Sequence, residues 1–83
     1  ADRTWVIFTT PYCASCGPVE DQLRAADPQA RLVRVDATRD VDLAGAFRVR
    51  TAPTAVLADG DGTVQAKLIG AAAVSRYLMD NRR

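Results

Sequence analysis

Apolar residues recur along the chain with two different periods, and the changes of period divide it into seven predicted elements. Residues 4–9 are apolar and β-branched on both faces, which indicates a strand covered on both sides. Three more runs of this kind predict strands at 31–36, 54–58 and 63–69. Helical spacing predicts a first helix that contains Cys16 and ends before Pro28, and two others at 41–47 and 71–82.

The order β-α-β-α-β-β-α indicates the fold class. A helix between the first two strands makes them parallel, with a right-handed crossover. Asp59-Gly60-Asp61-Gly62 predicts a hairpin turn before the last strand. We therefore expect an α/β fold, a four-stranded mixed sheet with helices on both faces. The helix residues expected to face its core are Cys16, Val19, Leu23, Ala26, Leu43, Phe47, Val74 and Leu78, with Tyr77 as a further candidate.

The composition of the chain limits the classes of function that it can have. At 83 residues and 48% apolar content, the chain predicts one small domain spanning residues 1–83. Its 11 basic and 10 acidic residues are scattered, so we expect neither a nucleic-acid groove nor a membrane surface as a partner. No run is long enough to span a bilayer, and the first residues show no signal-peptide pattern.

The candidate chemistry is the tetrapeptide Cys13-Ala14-Ser15-Cys16, which holds both cysteines of the chain. It lies between a predicted strand and a predicted helix. A helix N-terminus carries partial positive charge and free N–H groups, so it stabilises a thiolate over a thiol. The spacing puts the second thiol within reach to form a disulfide with the first. A cytosolic pair of this kind beside a βαβ pattern is typical of redox proteins, so we expect a cytoplasmic dithiol protein.

Two other interpretations of the cysteines remain. A zinc site needs four ligands, and the chain supplies two cysteines and no histidine, so such a site would need carboxylates or a second chain. The cysteines would otherwise be inert core residues, which suits scattered thiols better than this spacing. We therefore expect no metal and no cofactor.

Several charged and aromatic residues have ordinary expected roles. Trp5 is expected in the core, and Asp36 is expected to end its strand and accept a hydrogen bond from a loop N–H. Glu20 and Asp21 are expected as acids near the helix start, where the dipole favours them. Arg48 and Arg50 are expected to be solvated, with Arg50 within reach of acidic partners at the site edge.

Three segments carry a family resemblance. Residues 9–16, Thr-Thr-Pro-Tyr-Cys-Ala-Ser-Cys, resemble the active-site entry of glutaredoxins and of small glutaredoxin-like redoxins. Arg50-Thr51-Ala52-Pro53-Thr54 resembles the loop that carries the cis-proline of the thioredoxin superfamily. From Asp59 onward, the turn, Gly70 and the last helix are similar to the C-terminal half of thioredoxin. The chain is therefore identified, over essentially its whole length, as a small redoxin with a thioredoxin-like fold.

The chain departs from its relatives at three points. Ala14-Ser15 stands where thioredoxin has Gly-Pro, and Gly17-Pro18 follows the second cysteine instead. Ile7 stands where thioredoxin has a buried acid, so either water or a hydroxyl such as that of Thr9 assists the second cysteine, or the second step is slower. Gly70-Ala71-Ala72-Ala73 replaces the Gly-Gly-acid pattern of glutathione-binding glutaredoxins, which disfavours glutathione as the dedicated reductant.

The resemblance and the thiol chemistry together imply a mechanism. Cys13, expected in the first helical turn, would attack a target disulfide, and Cys16 would resolve the mixed disulfide. Pro53 would be cis and face the dithiol, and the Ala52 backbone would pair with the target peptide. Pro11 and Tyr12 would add contact surface. Gly70 would leave room for the target.

The expected function is thus reduction of protein disulfides by thiol–disulfide exchange. The partners implied are disulfide-containing proteins and, as electron donor, a flavoenzyme of the thioredoxin-reductase type, with the chain acting as a monomer. Two alternatives remain open: a glutaredoxin-like reductant of glutathione mixed disulfides, and a non-catalytic module that binds a partner or senses redox state.

Overall fold

The computed structural model describes residues 2–80 and has four strands and three helices in the predicted order. The strands are β1 (Arg3–Thr9), β2 (Arg31–Asp36), β3 (Thr54–Asp59) and β4 (Val64–Ile69). The helices are α1 (Cys16–Ala26), α2 (Val41–Ala46) and α3 (Ala71–Asp80). The predicted end of the last helix, at Arg82, lies outside the described residues.

The strands form one mixed sheet in the order β2-β1-β3-β4. β1 is parallel to β2 and antiparallel to β3, and β3 pairs with β4 as an antiparallel hairpin. β1 therefore lies inside the sheet, as its apolar residues on both faces predict. Its last residue, Thr9, pairs with Asp36 at the end of β2, and from this edge of the sheet the chain enters the cysteine loop.

Helices cover both faces of the sheet, which confirms the predicted fold class. α1 and α3 pack over a larger apolar cluster, and α2 packs over a smaller one. The larger cluster contains Trp5, Ile7, Val19, Leu23, Ala55, Leu57 and Val74, and the smaller one contains Phe8, Val35, Ala44 and Val56. Phe47 faces the core as predicted, with its ring centroid 5.7 Å from that of Phe8.

α1 begins one residue after its N-cap, Ser15, so Pro18 lies in the first turn, where its missing N–H costs no helical hydrogen bond. The structure corrects one prediction at the other end of this helix. Ala26 is exposed rather than inward, because the next inward position after Leu23 is taken by Asp27. The Asp27 carboxylate accepts a hydrogen bond from the Trp5 indole at 3.1 Å.

α3 begins directly after Gly70, where the backbone has a φ of 92°. A left-handed φ of this size favours glycine, which explains why the strand ends and the helix starts at this residue. Within residues 2–80, no helix combines the length and apolar character needed to cross a membrane.

Candidate active site

Both cysteines lie at the C-terminal end of β1, in and after the loop that leads into α1. The Cys13 N–H donates to the Thr10 carbonyl at 3.2 Å, and the Ala37 N–H donates to the Thr9 carbonyl at 2.8 Å, so the loop is tied to the sheet at its base. Cys13 and Cys16 form a disulfide with their Cα atoms 5.5 Å apart. The structure thus joins the two sulfurs, as their spacing predicts.

The two cysteines differ in accessibility. Cys16 is the first residue of α1 and is only 6% exposed, whereas Cys13 is half-buried. Our prediction that Cys13 lies in the first helical turn is wrong, because the helix begins three residues later. An earlier start would place Pro18 in the helix interior and cost a hydrogen bond. An incoming disulfide therefore reaches the Cys13 sulfur before that of Cys16.

Ser15 was not among the predicted site residues, but its hydroxyl is directed to the dithiol. Its Oγ lies 3.9 Å from the Cys13 Sγ and makes no capping hydrogen bond to α1. Because Cys13 is disulfide-bonded and carries no S–H, the hydroxyl is the donor. Ser15 is therefore placed to donate to the same sulfur when it is a thiolate.

A cleft of about 190 Å³, here called the dithiol cleft, borders the disulfide on the side of α1 and β2. Its lining residues are Thr9, Thr10, Cys13, Cys16, Gly17, Glu20 and Arg34. Most of these side chains are small or polar, and the two charged ones form an ion pair. This is the charged surface that lies beside the two sulfurs.

Glu20 is the buried member of that ion pair. It lies past the first turn of α1, which corrects its expected position as an acid near the helix start. It is 4% exposed and accepts hydrogen bonds from Arg34 Nε, at 2.8 Å, and from Arg34 Nη2. Arg24, one turn later on α1, contacts its other carboxylate oxygen at 2.8 Å. Both arginine side chains remain 62% exposed. The pair therefore joins α1 to β2 with the acid inside and the cations outside.

A signal for this pair exists in the sequence. Glu20 is four residues after Cys16 and three before Leu23, so helical spacing puts it on the inward face. Arg34 alternates with Val33 and Val35 on β2 and shares a face of the sheet with Leu32. Each of the two elements thus carries one inward charge, and an inward charge needs a partner.

A second cleft, here called the α2 cleft, has a volume of about 300 Å³. It is lined by Thr10, by Val41 and Ala44 of α2, and by Arg50 and Ala52 of the loop before β3, among others. Thr10 lines both clefts, so they meet at the base of the cysteine loop. Ala52 therefore shares a cleft with Thr10, and its contact with a target stays a prediction.

The other predicted contact residues surround the same region. The Ala52–Pro53 peptide bond is cis, and Pro53 is buried. The Gly70 N–H donates to the Pro53 carbonyl at 2.8 Å, which places the end of β4 next to this loop. Pro11 is exposed and Tyr12 is 92% exposed, so both side chains are accessible to a partner. Their roles in binding remain predictions.

Two residues of β1 that the sequence analysis singled out, Ile7 and Thr9, lie in the interior. Ile7 is fully buried, and the nearby Thr9 hydroxyl donates to the Val35 carbonyl at 3.4 Å. Across residues 2–80, no group of three or more histidine, cysteine or acidic side chains is arranged to hold a metal ion. The chemistry the described site supports is sulfur exchange, with Cys13 outside and Cys16 inside.

Comparisons with known proteins agree with this geometry. The family model described as Thioredoxin matches residues 1–79. Mitochondrial thioredoxin 3 of Saccharomyces cerevisiae, in its oxidised form, is 31% identical, with a TM-score of 0.76 over 95% of this chain and 78% of that one. A mutant thioredoxin from Halobacterium salinarum, at 24% identity, shares the fold with a TM-score of 0.77 over 94% of this chain and 70% of that one. Curated protein sequences gave no match.

The family model covers almost the whole chain, well beyond the cysteine motif. A thioredoxin domain that carries a disulfide-bonded Cys13–Cys16 pair supports thiol–disulfide oxidoreductase activity. On this match and on its fold, the chain belongs to the thioredoxin family.

Proposed function

We propose that the chain reduces disulfides in other proteins. The observation that carries this proposal is the asymmetry of the dithiol: Cys13 is accessible in front of α1, and Cys16 is buried within 5.5 Å of it, Cα to Cα. Two-step exchange requires a nucleophile that the substrate can reach. It also requires a second thiol that is shielded from the substrate and close enough to attack the first.

The reaction begins from the reduced chain. The Cys13 thiolate attacks one sulfur of the target disulfide, forms a mixed disulfide and releases the other target sulfur as a thiolate, which takes up a proton. Cys16 then loses its proton, and its sulfur attacks the Cys13 Sγ. The bond between Cys13 and the target breaks, and the second target thiolate leaves and is protonated. The target gains two electrons, and the chain ends in the disulfide form described above.

Residues around the dithiol would hold the target. Ala52 at the α2 cleft and Gly70, hydrogen-bonded to Pro53, would form one side of the contact surface, and Pro11 and Tyr12 would form the other. The Ala52 backbone would pair with an extended target segment in the manner of an added strand. Tyr12 has the exposed apolar ring that such a contact uses.

Re-reduction completes the cycle. The proposed donor is a flavoenzyme of the thioredoxin-reductase type, acting on a monomeric chain in the cytoplasm. Membership of the thioredoxin family supports the choice of donor. The equilibrium reduction potential of the Cys13–Cys16 pair tests the direction in which electrons flow between the chain and its targets. A value near about −270 mV fits a reductant, and one near about −120 to −180 mV would instead fit an oxidase or isomerase.

Activity is tested by reduction of insulin disulfides with dithiothreitol as the electron source. The wild type should accelerate the reaction, and Cys13→Ser should abolish the acceleration. Reduced Cys16→Ser, mixed with insulin in the absence of dithiothreitol, should accumulate the mixed disulfide, which is visible by mass because Cys13 is then the one remaining thiol. Activity that persists in Cys13→Ser would reject the assigned nucleophile. An inactive wild type that still binds partners would favour a non-catalytic module.

A further inference from the structure

The two clefts beside the dithiol present the same sign of charge to a ligand. The dithiol cleft is lined by one cation, Arg34, and the α2 cleft by another, Arg50. They approach the cysteine loop from different sides and meet at Thr10. A substrate segment that enters either cleft therefore meets an arginine.

The acid in the dithiol cleft weakens the field of Arg34 but is itself shielded from a ligand. Glu20 is 4% exposed and already accepts hydrogen bonds from Arg34 and Arg24, whereas the Arg34 side chain is 62% exposed. A ligand at the cleft meets the guanidinium and not the carboxylate. Buried acid and exposed base thus make the accessible surface positive.

Glu20 also restricts the position of the cation. It binds Arg34 through both Nε and Nη2, so the planar guanidinium is held in one orientation. A charge fixed before binding loses less conformational entropy when a partner arrives than a mobile lysine would. Arg34 is therefore organised as a recognition group.

The α2 cleft supplies the second, independent cation. Among the described residues that line it, Arg50 is charged and none is acidic. Two nearby acids have local partners: Asp36, the last residue of β2, accepts hydrogen bonds from Thr38, and Asp40, the N-cap of α2, accepts one from the Leu43 N–H. The cleft thus offers apolar surface from Val41 and positive charge from Arg50.

We propose that the chain selects disulfide substrates that carry acidic side chains close to the target cysteine, through Arg34 on one side of the dithiol and Arg50 on the other. This inference rests on the proposed function and adds a substrate class to it. Carboxylates at the rim of a contact increase the rate of encounter and fix the orientation of the partner, and salt weakens both effects.

The test compares three disulfide peptides that differ at the residues flanking the target cysteine, which are Glu, Gln or Lys. The measured quantity is kcat/KM with each peptide, at low and at high ionic strength. We expect the wild type to prefer the Glu peptide over the Gln peptide by about two- to fivefold for each arginine engaged, and to disfavour the Lys peptide. High salt should remove most of the preference.

Substitutions of single arginines show which of them causes the preference for the Glu peptide. Arg50→Gln and Arg34→Gln should each lower the Glu-to-Gln ratio, and Arg34→Lys should retain part of it. Arg24→Gln is the matched control, because Arg24 makes the same kind of ion pair with Glu20 but lines a different cavity, with Trp5 and Asp27. It should leave the ratio at the wild-type value. If Arg34→Gln does not fold, Arg50→Gln and the salt series still decide the question.

Each outcome has one meaning. Equal kcat/KM on all three peptides would overturn the inference and leave the proposed function intact, whereas no reduction of any peptide would overturn both. A glutathionylated Gln peptide is the last arm, because glutathione also carries carboxylates next to the disulfide. If the arginines affect only this substrate, the carboxylates recognised belong to glutathione and the inference for acidic proteins is wrong.

Discussion

The Ser15 hydroxyl faces the Cys13 sulfur instead of capping α1. Its removal should therefore affect the reactivity of Cys13 but not the stability of the helix. A hydroxyl that donates to a thiolate stabilises it, so Ser15→Ala should lower the thiolate fraction of reduced Cys13. We expect alkylation of Cys13 by iodoacetamide at neutral pH to slow by about two- to fivefold. The measurement is made in a Cys16→Ser background, where Cys13 is the one thiol that reacts.

The stability of the same variant serves as its internal control. Loss of a serine that caps a helix typically costs about 1 kcal/mol. Because Ser15 makes no cap hydrogen bond, Ser15→Ala should change the free energy of unfolding by less than about 0.5 kcal/mol. Ser15→Thr retains the hydroxyl and should alkylate at the wild-type rate. An unchanged rate in Ser15→Ala would show that the hydroxyl does not act on Cys13.

Glu20 and Asp21 are adjacent acids on α1 with opposite environments. Glu20 is buried between Arg24 and Arg34, whereas Asp21 is exposed. Glu20→Ala should lower the free energy of unfolding by about 1–3 kcal/mol, because a buried hydrogen-bonded charge is lost. The loss stays below that of a fully buried pair since both arginines can be solvated. Asp21→Ala should change it by less than about 0.5 kcal/mol.

Urea unfolding of the oxidised protein measures both effects, and equal values for the two variants would contradict the assigned role of Glu20.

The ion pair between Glu20 and Arg34 also shows what cannot be predicted from the sequence. Glu20 and Arg34 are 14 residues apart on a helix and a strand, so the period of each element places them on an inward face. Which inward charges meet depends on the packing of α1 against β2, and no local pattern contains that information.

At the scale of elements, the strands were the most predictable part of the molecule. Each predicted strand end lies within one residue of the observed one. Their apolar runs are bounded by turn residues such as Asp59-Gly60, and both signals act locally. The start of α1 is harder to predict, because a thiolate stabilised by the helix dipole would put Cys13 in the first turn, whereas Pro18 favours a later start. The structure shows that the proline sets the boundary.

The end of α2 has a conformation that its sequence does not favour. Arg48 has a φ of 56°, its N–H donates to the Gly45 carbonyl, and the Val49 N–H donates to the Ala44 carbonyl. This is a Schellman motif, whose left-handed position usually holds glycine. Arg48→Gly should raise the free energy of unfolding by about 0.5–1 kcal/mol, because the relief of the left-handed strain exceeds the added freedom of the unfolded chain.

Lys67 should not oppose this gain, since it donates to the backbone carbonyl of residue 48 and not to the arginine side chain. Arg50→Gly is the control: Arg50 is exposed and its φ is not positive, so glycine there should be neutral or destabilising. Thermal denaturation of both variants measures the difference. A lower midpoint for Arg48→Gly would show that the arginine side chain contributes more than its backbone conformation costs.

At the scale of the whole molecule, the parallel pairing of β1 and β2 accounts for the position of the site. It brings the ends of both strands to one edge, where the cysteine loop, Arg34 and the start of α1 meet. The cysteines and this edge were predictable, because the motif follows a strand and precedes a helix. The two clefts were not, since they depend on where α2 and the Ala52 loop lie against Thr10.

The opposite end of the sheet determines part of the acid stability. Asp27, at the end of α1, accepts a hydrogen bond from Arg3 Nε at 2.7 Å and one from the Trp5 indole, which ties the helix to β1. The Arg3 hydrogen bond, with help from Trp5, holds the pKa of Asp27 below its ordinary value although burial raises it. Hydrogen bonds from Thr38 and from the Thr63 N–H likewise lower the pKa of Asp36 and of Asp59.

A carboxylate with a lowered pKa in the folded state makes stability depend on pH in one direction. Around the ordinary value of about 3.9 the unfolded chain binds more protons than the folded one, so the free energy of unfolding rises with pH. The contribution of Asp27 is therefore complete well above pH 4 and is lost as the pH falls through its lowered folded value. Urea unfolding at pH 6 and at pH 2.5 should show this decline.

Asp27→Asn and Arg3→Gln should each reduce the decline without abolishing it, because Asp36 and Asp59 still contribute. A decline of wild-type size in both variants would show that the link between α1 and β1 does not depend on the charge of Asp27.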